Sequence, residues 1–395
     1  MSTYRHMTTN LLSGQVTGDW LPIITQNFSR TINTVGSLSG ALNLTAGTAL
    51  EVINNRLALE PEKTMLWVFQ DGAPVWNGIV WDQPHSSILD STLPISCATP
   101  ESLFQHRLIT DDLTFSGDLF DIFRGLASYA LGKTPNGQMA GWTMGTNESG
   151  VVLEGVTYSA TDMQTVYDAW SALISAYNFE YSVRPAVDAS GNVYMSLDLG
   201  YPTLGLPLAT SGLGFDMPGN LLDYAFPRTG SSAANTVYAT ATDGSATSDG
   251  TSWASQLPHG QDIDGALAQG YPLLETSESL TTLATVTQAQ VDAFADGQMA
   301  QLTGTQLLPT LTIGNDQYPA ASSVTLGSWC QVTATSPLHQ SPGNNVPGLQ
   351  VVGRVVGWTL TPPAGTQTET TQYLLGEIDD ADGTYTPYSG ASGVI

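Results

Sequence analysis

Met65-Leu-Trp-Val-Phe-Gln-Asp-Gly-Ala-Pro-Val-Trp-Asn-Gly-Ile-Val-Trp81 is the stretch that decides the fold class. A run of apolar and aromatic residues, the types that suit a pleated half-buried surface, meets Asp71-Gly72. Asp-Gly tolerates positive φ at both central positions and is a strong signal for a two-residue hairpin turn. Val75 to Trp81 then returns as the partner strand. Gly78 inside that strand marks a bulge or a close approach of another backbone.

The same logic extends outward. Thr25–Leu44 alternates small polar and apolar residues and reads as a strand pair that buries one face. Residues 1–110 as a whole read as β-structure, including the apolar run Leu50–Leu59. The character changes near residue 116. Leu119, Ile122, Phe123, Leu126 and Ala130 share one helical face, and Gly132 stops that helix. In a second helix, Thr161 and Gln164 read as the capping box. Met163, Val166, Tyr167, Trp170, Leu173, Ile174 and Tyr177 follow at helical spacing. Phe179–Val183 is then a strand. A third helix is expected from Thr287 to about Leu302, capped by Thr287 and Gln290, with Val291, Phe294, Ala295, Met299 and Leu302 inward. Residues 241–256 are rich in Gly, Ser, Thr and Asp and read as a long loop. Strands are expected at Leu307–Ile313, Leu326–Val332, Leu349–Leu360 and Gln367–Leu375. Trp76, Trp81 and Trp170 sit on strongly patterned faces and are expected to be buried.

Composition narrows the function. The 395 residues carry 35 acidic against 10 basic side chains, a net charge of −25, and the lysines are Lys63 and Lys133. The acids are spread along the chain, so a disordered acidic tail does not explain them. A nucleic-acid reader needs Lys/Arg clusters to neutralise phosphate, and the sequence has none. Basic membrane-surface patches are absent on the same count. An acidic wall suits a conduit that DNA slides past, and it equally serves solubility alone. Residues 1–10 lack the apolar core of a secretion signal, and no apolar run approaches the length of a membrane span. Cys97 and Cys330 read as two buried free thiols.

Patterns that carry chemistry fail on spacing. Gly125 to Gly132-Lys133-Thr134 has too many residues between its glycines for a phosphate loop, and Lys133 falls at a helix end of negative polarity. Asp379, Asp380 and Asp382-Gly383 lack the first and last ligands of a calcium loop, where Ile378 and Ser389 stand. His6, His85, His106, His259 and His339 never reach metal-ligand spacing. Gly36-Ser-Leu-Ser-Gly40 places Leu where a nucleophile elbow needs Ser. His106-Arg107 is a bare catalytic candidate, and no carboxylate pair stands out. The expectation is therefore no catalytic, cofactor-binding or metal-binding residue, no cofactor, and no enzyme.

Order and spacing of several motifs carry a resemblance. They are Arg30-Thr-Ile-Asn33 followed by Val35-Gly-Ser-Leu38, the Trp76-Asn-Gly-Ile-Val80 strand, and the helix-then-strand segment Gln164–Tyr181. They continue with Gly219–Arg228 leading into Ala234–Gly244, then Leu326–Val332 and Gly353–Leu360. Over residues 1–375 the chain resembles the tail-tip or baseplate central hub proteins of tailed bacteriophages, including actinobacteriophage minor tail proteins. The resemblance implies a mainly β fold with α/β inserts and two β-barrel domains. It divides the chain into a first barrel (1–110), an α/β insert domain (111–218), a second barrel (219–375) with a helical insert near 270–305, and an acidic Gly-rich tail (376–395). It further implies a structural virion protein at the tail tip, made in the host bacterial cytoplasm. Three copies would form a ring that continues the tail tube and closes or gates the DNA channel for ejection. Implied partners are the other copies, the distal tail or tube adaptor, the tape measure, and tip or fibre proteins. DNA would pass without specific binding, and no membrane is implied. The alternative is a cell-wall glycan-binding or receptor-binding tail module, for which Trp142, Trp253 and Trp329 are the aromatic candidates.

Overall fold

The computed structural model describes residues 2–84, 91–133, 139, 141–226, 228–229, 234–242, 252–254, 270, 272–280, 288–302, 306–307, 309–314, 317–337, 339–341, 347–364, 368–380 and 385–386. They fall into two compact units. One is Met1–Tyr224 with Leu311–Leu375, and the other is Ala225–Thr310 with Gly376–Val394.

In the first unit the opening strands are β1 (Tyr4–Asn10), β2 (Val16–Gly18), β3 (Ile23–Thr31) and β4 (Ser37–Asn43). After a helix come β5 (Thr64–Gln70), β6 (Ala73–Asp82) and β7 (Thr92–Ala98). The β5–β6 hairpin turns at Asp71 and Gly72, both with positive φ, as the Asp-Gly signal requires. Gly78 serves close approach: a Cβ there would lie 2.5 Å from the Ala98 carbonyl oxygen of β7. The register irregularities fall elsewhere, at Val68/Phe69 and Val80/Asp82. The Thr25–Leu44 stretch forms the antiparallel β3–β4 pair, with an irregularity between Thr25 and Asn27.

One expectation fails here. Leu50–Leu59 is not β-structure, because α1 spans Ala49–Leu57. Thr48 accepts from the Glu51 amide while the Glu51 carboxylate accepts from the Thr48 amide, a full capping box. That reciprocal bond fixes a helix start which the apolar content alone does not reveal.

The α/β segment holds β8 (Leu113–Asp118), α2 (Leu119–Gly132), β9 (Trp142–Thr143) and β10 (Val152–Tyr158). It continues with α3 (Val166–Tyr177), β11 (Glu180–Val187) and β12 (Val193–Gly200). Every residue assigned to the inner face of α2 is buried. The second helix starts later than expected. Thr165 is its N-cap and bonds Asp168, while Met163 adopts a left-handed conformation that breaks continuity with residues 160–162. Thr165-x-x-Asp168 has the same spacing as Thr161-x-x-Gln164, and the backbone break selects the later pair. α2 and α3 clamp an aromatic core built on Phe104, Phe123, Trp170, Phe179 and Tyr181. Trp76 and Trp170 are fully buried. Trp81 is half-buried instead, and its indole N–H donates to the buried Ser102 hydroxyl at 2.9 Å.

Beyond a short α4 (Leu208–Ser211) lie β13 (Leu213–Met217) and β14 (Leu221–Ala225). The second unit contains β15 (Arg228–Thr229), β16 (Thr236–Thr242), β17 (Ser252–Ala254), β18 (Glu275–Leu280), α5 (Gln288–Leu302) and β19 (Gln306–Leu307). The expected 241–256 loop is interrupted, since β17 pairs with β16. Val291, Ala295 and Met299 of α5 are buried against Val237 and Ala239 of β16, with Phe294 packed beside them. The Thr287 cap lies outside the described residues. The expected 307–313 strand is split around Pro309, where proline offers no N–H to a ladder. Its first part is β19, which pairs with β15, and its second is β20 (Thr310–Gly314).

The chain then adds β21 (Trp329–Ala334), β22 (Leu349–Thr361), β23 (Thr370–Asp380) and β24 (Tyr385–Thr386). Gly327 turns with positive φ, so the Leu326–Val332 strand begins only at Trp329. The main sheet runs β14-β20-β23-β22-β3-β4-β7-β6-β5-β1-β2. Its β22–β3 pair joins the two ends of the chain, with Trp358 opposite Arg30. Trp76 on β6 donates to the Ser29 carbonyl on β3, and Phe28 packs against both Trp76 and Trp358. The fold is thus mainly β, built on large antiparallel sheets with α/β elements attached.

Candidate assembly surface

α1 has no buried residue. Leu50, Ile53 and Leu57 recur at i, i+3 and i+7 and are 50–66% exposed. A helix with such a stripe normally turns it to a core. Here three side chains, each worth about 1.5–3 kcal/mol on burial, face outward. The neighbouring element is a sheet edge. β2 ends the main sheet, Val16 on it is exposed, and the Gly18 backbone abuts Ala58 at the end of α1. Edge strands of this kind offer unpaired backbone to another chain. Trp20 follows at 64% exposure with positive φ. Arg5 stands over its ring at 5.0 Å and is itself clamped by both oxygens of Asp19. Patterned apolar exposure of this kind marks an interaction surface.

The aromatic candidates do not form a comparable surface. Trp142 is half-buried and packs on Phe104, Trp329 is half-buried on β21, and the side chain of Trp253 lies outside the described residues. Trp20, which the sequence reading missed, sits in a Gly18-Asp-Trp-Leu-Pro22 turn whose composition was the available signal.

His106 is exposed with its ring 4.6 Å from Trp81, His6 is buried against the Thr25 hydroxyl, and His339 meets the Tyr224 hydroxyl. His85 and His259 lie outside the described residues. Lys133 caps the end of α2 and donates to the Leu108 carbonyl. Asp379 and Asp380 belong to β23, while Asp382-Gly383 lies outside the described residues. Among the described residues no group of three His, Cys, Asp or Glu side chains is placed to hold a metal, and no helix is long and apolar enough to cross a membrane. Cys97 and Cys330 are free and buried, and burial pushes both thiols up.

One buried carboxyl is unusual. Glu101 accepts from the Thr99 hydroxyl at 2.7 Å through Oε1, and its Oε2 is buried without a partner. Burial pushes this carboxyl up to about 7, against the pull of the Thr99 bond and the Arg30 charge. A folded state that holds the proton more tightly than the unfolded chain loses stability as pH rises. The wild type should therefore lose stability relative to Glu101→Gln between pH 4.5 and about 7, as read by urea midpoints across that window. His6 works in the opposite sense. Burial pushes it from 6.5 down to about 4, so its contribution is lost as pH falls through that range. The difference between wild type and Glu101→Gln cancels the His6 term. A wild type that gains on the variant with rising pH would show Glu101 to be ionised in the fold.

No protein-family model matches the sequence, and no curated protein matches it. Solved structures do share the fold. The tail protein from Neisseria meningitidis MC58 superposes with a TM-score of 0.54 at 13% identity, over 98% of this chain and 99% of that one. The 43 kDa tail protein of prophage MuSo2 from Shewanella oneidensis gives a TM-score of 0.52 at 10% identity, over 94% and 97%.

Proposed function

We propose that this chain is a structural protein of a phage tail or a related injection machine, acting as the central hub at the tail tip. The observation that carries the reading is the fold shared with phage tail proteins along nearly the whole length of both chains. In this reading two barrel domains, residues 1–110 and 219–375, flank the α/β segment 111–218. Three copies close a ring that continues the tail tube. The tube adaptor, the tape measure and tip or fibre proteins are its neighbours, and DNA passes without being bound. No catalytic step is assigned to it.

The α1 stripe and the β2 edge support self-association, because a closed ring buries each protomer's exposed face against the next copy. Leu50→Glu with Ile53→Glu should shift the assembly to monomers in analytical ultracentrifugation while leaving the thermal midpoint of the monomer unchanged, since neither residue is buried within the chain. Imaging of assembled particles tests the hub itself. Three copies around the axis, with a lumen lined by Asp, Glu and small polar residues, are expected. Six copies or a single copy would refute the hub reading. An Arg-lined wall with all acids facing outward would leave the charge as a solubility device. The glycan-binding alternative has thinner support, since Trp142 packs on Phe104, Trp329 is half-buried on β21 and Trp20 is held by Arg5.

A further inference from the structure

Arg30 leaves β3 from a position opposite Trp358 and reaches under β11. Its Nη2 donates to the Ser182 hydroxyl at 3.1 Å and to the Val183 carbonyl at 2.5 Å. A guanidinium has five N–H donors, so among the described residues those on Nε and Nη1 remain unspent. Among the described residues no carboxylate lies within ion-pair distance of Arg30, although Arg5, Arg124, Arg184 and Arg354 each have one. The charged groups facing it are accounted for. Asp198 is taken by Arg184 Nε and the Ser196 hydroxyl, and Glu101 is the buried carboxyl bonded to Thr99. Arg30 is half-buried, and a guanidinium with spare donors at a cleft is open to an anionic partner.

The geometry supplies room for one. Arg30 and Arg184 line a cleft of about 420 Å³ within the first unit. Leu204, Val324 and Trp358 give it apolar walls, and Thr325 adds a hydroxyl. Concave sites with apolar walls and a few converging polar groups take small ligands or single side chains. Arg30, Arg184 and Asp198 sum locally to one positive charge, which matches a single carboxylate group inside the cleft. The net charge of −25 repels polyphosphate. The planar fork of a guanidinium favours a carboxylate in two-point contact.

We infer that this cleft binds a carboxylate on a short aliphatic stem, either a free small dicarboxylate or a glutamate side chain of an incoming polypeptide. The inference is independent of the hub reading. The test is calorimetry of the full chain at low salt with glutarate in one arm and acetyl-Ala-Glu-Ala-amide in the other, each against its amide counterpart. Saturable binding of one or both acids is expected, with no binding of the amides. Glutarate binding alone identifies a free acid as the ligand, and peptide binding alone identifies a chain segment. Arg30→Met should weaken binding at least tenfold while leaving the thermal midpoint near that of the wild type, because it removes the charge and keeps the stem. Asp198→Asn frees Arg184 and should tighten binding several-fold, which decides the matter if Arg30→Met fails to fold. No binding in either arm, equal binding by Arg30→Met, or indifference to Asp198→Asn would overturn the assignment.

Discussion

Trp170→Ala should lower the free energy of unfolding by about 3–5 kcal/mol, the range for removing a large aromatic side chain from a core. Trp170 is fully buried, stacked on Phe123 at 4.0 Å and edge-on to Phe104 and Tyr181. Its indole N–H donates to the Phe123 carbonyl at 3.2 Å. The neighbours belong to α2, β11 and the turn after β7, so no single element can move to fill the void. Chemical denaturation measures the loss. Wild-type stability in the variant would mean that α3 does not pack as described.

Arg354→Ala should cost a comparable amount, about 3–5 kcal/mol, because it strands the partner of a buried ion pair. Arg354 is 1% exposed, and its Nη2 lies 2.6 Å from Glu180 Oε2. Its Nε also donates to the Gly327 carbonyl at 3.1 Å, and the same Glu180 oxygen accepts from the Leu204 amide. The pair therefore pins β22, β11 and two loops at once. Arg354→Met combined with Glu180→Gln should recover about half of the loss, since it removes both charges and keeps an acceptor for Leu204. A double variant no better than Arg354→Ala would show that the loop contacts, and not the stranded charge, carry the energy.

What could be read from sequence was local. The 65–81 hairpin declared itself through apolar runs around Asp-Gly, and α2 through five inward residues at helical spacing that are all buried. α1 escapes a sequence reading because its stripe faces solvent, so apolar content suggests a buried strand, and Thr48, the first half of the decisive Thr48–Glu51 box, stands just before the Leu50–Leu59 run. The cap of α3 was misplaced because two Thr-x-x-acceptor pairs stand four residues apart and only the backbone at Met163 chooses between them. Arg30 was invisible as a site residue. Its placement depends on β11, 152 residues away along the chain, and its role depends on the lack, among the described residues, of a carboxylate at ion-pair distance, which no motif records. The resemblance to phage tail hubs reached further than any local pattern, because order and spacing of strands survive when identity does not. The fold shared with phage tail proteins agrees with it.

The pairing of Arg30 with Trp358 also sets a clock. β3 leaves the ribosome long before its partner β22 is translated, and at about 5–20 residues per second the delay is tens of seconds. Through that interval one side of β3 has no neighbour, and Phe28 has only part of its eventual packing. The nascent chain must protect an open strand until β22 has emerged. Synthesis arrested before residue 354 should therefore release a product that aggregates or stays bound to a chaperone, whereas one arrested after residue 380, with β22 and its neighbour β23 both made, should close the sheet.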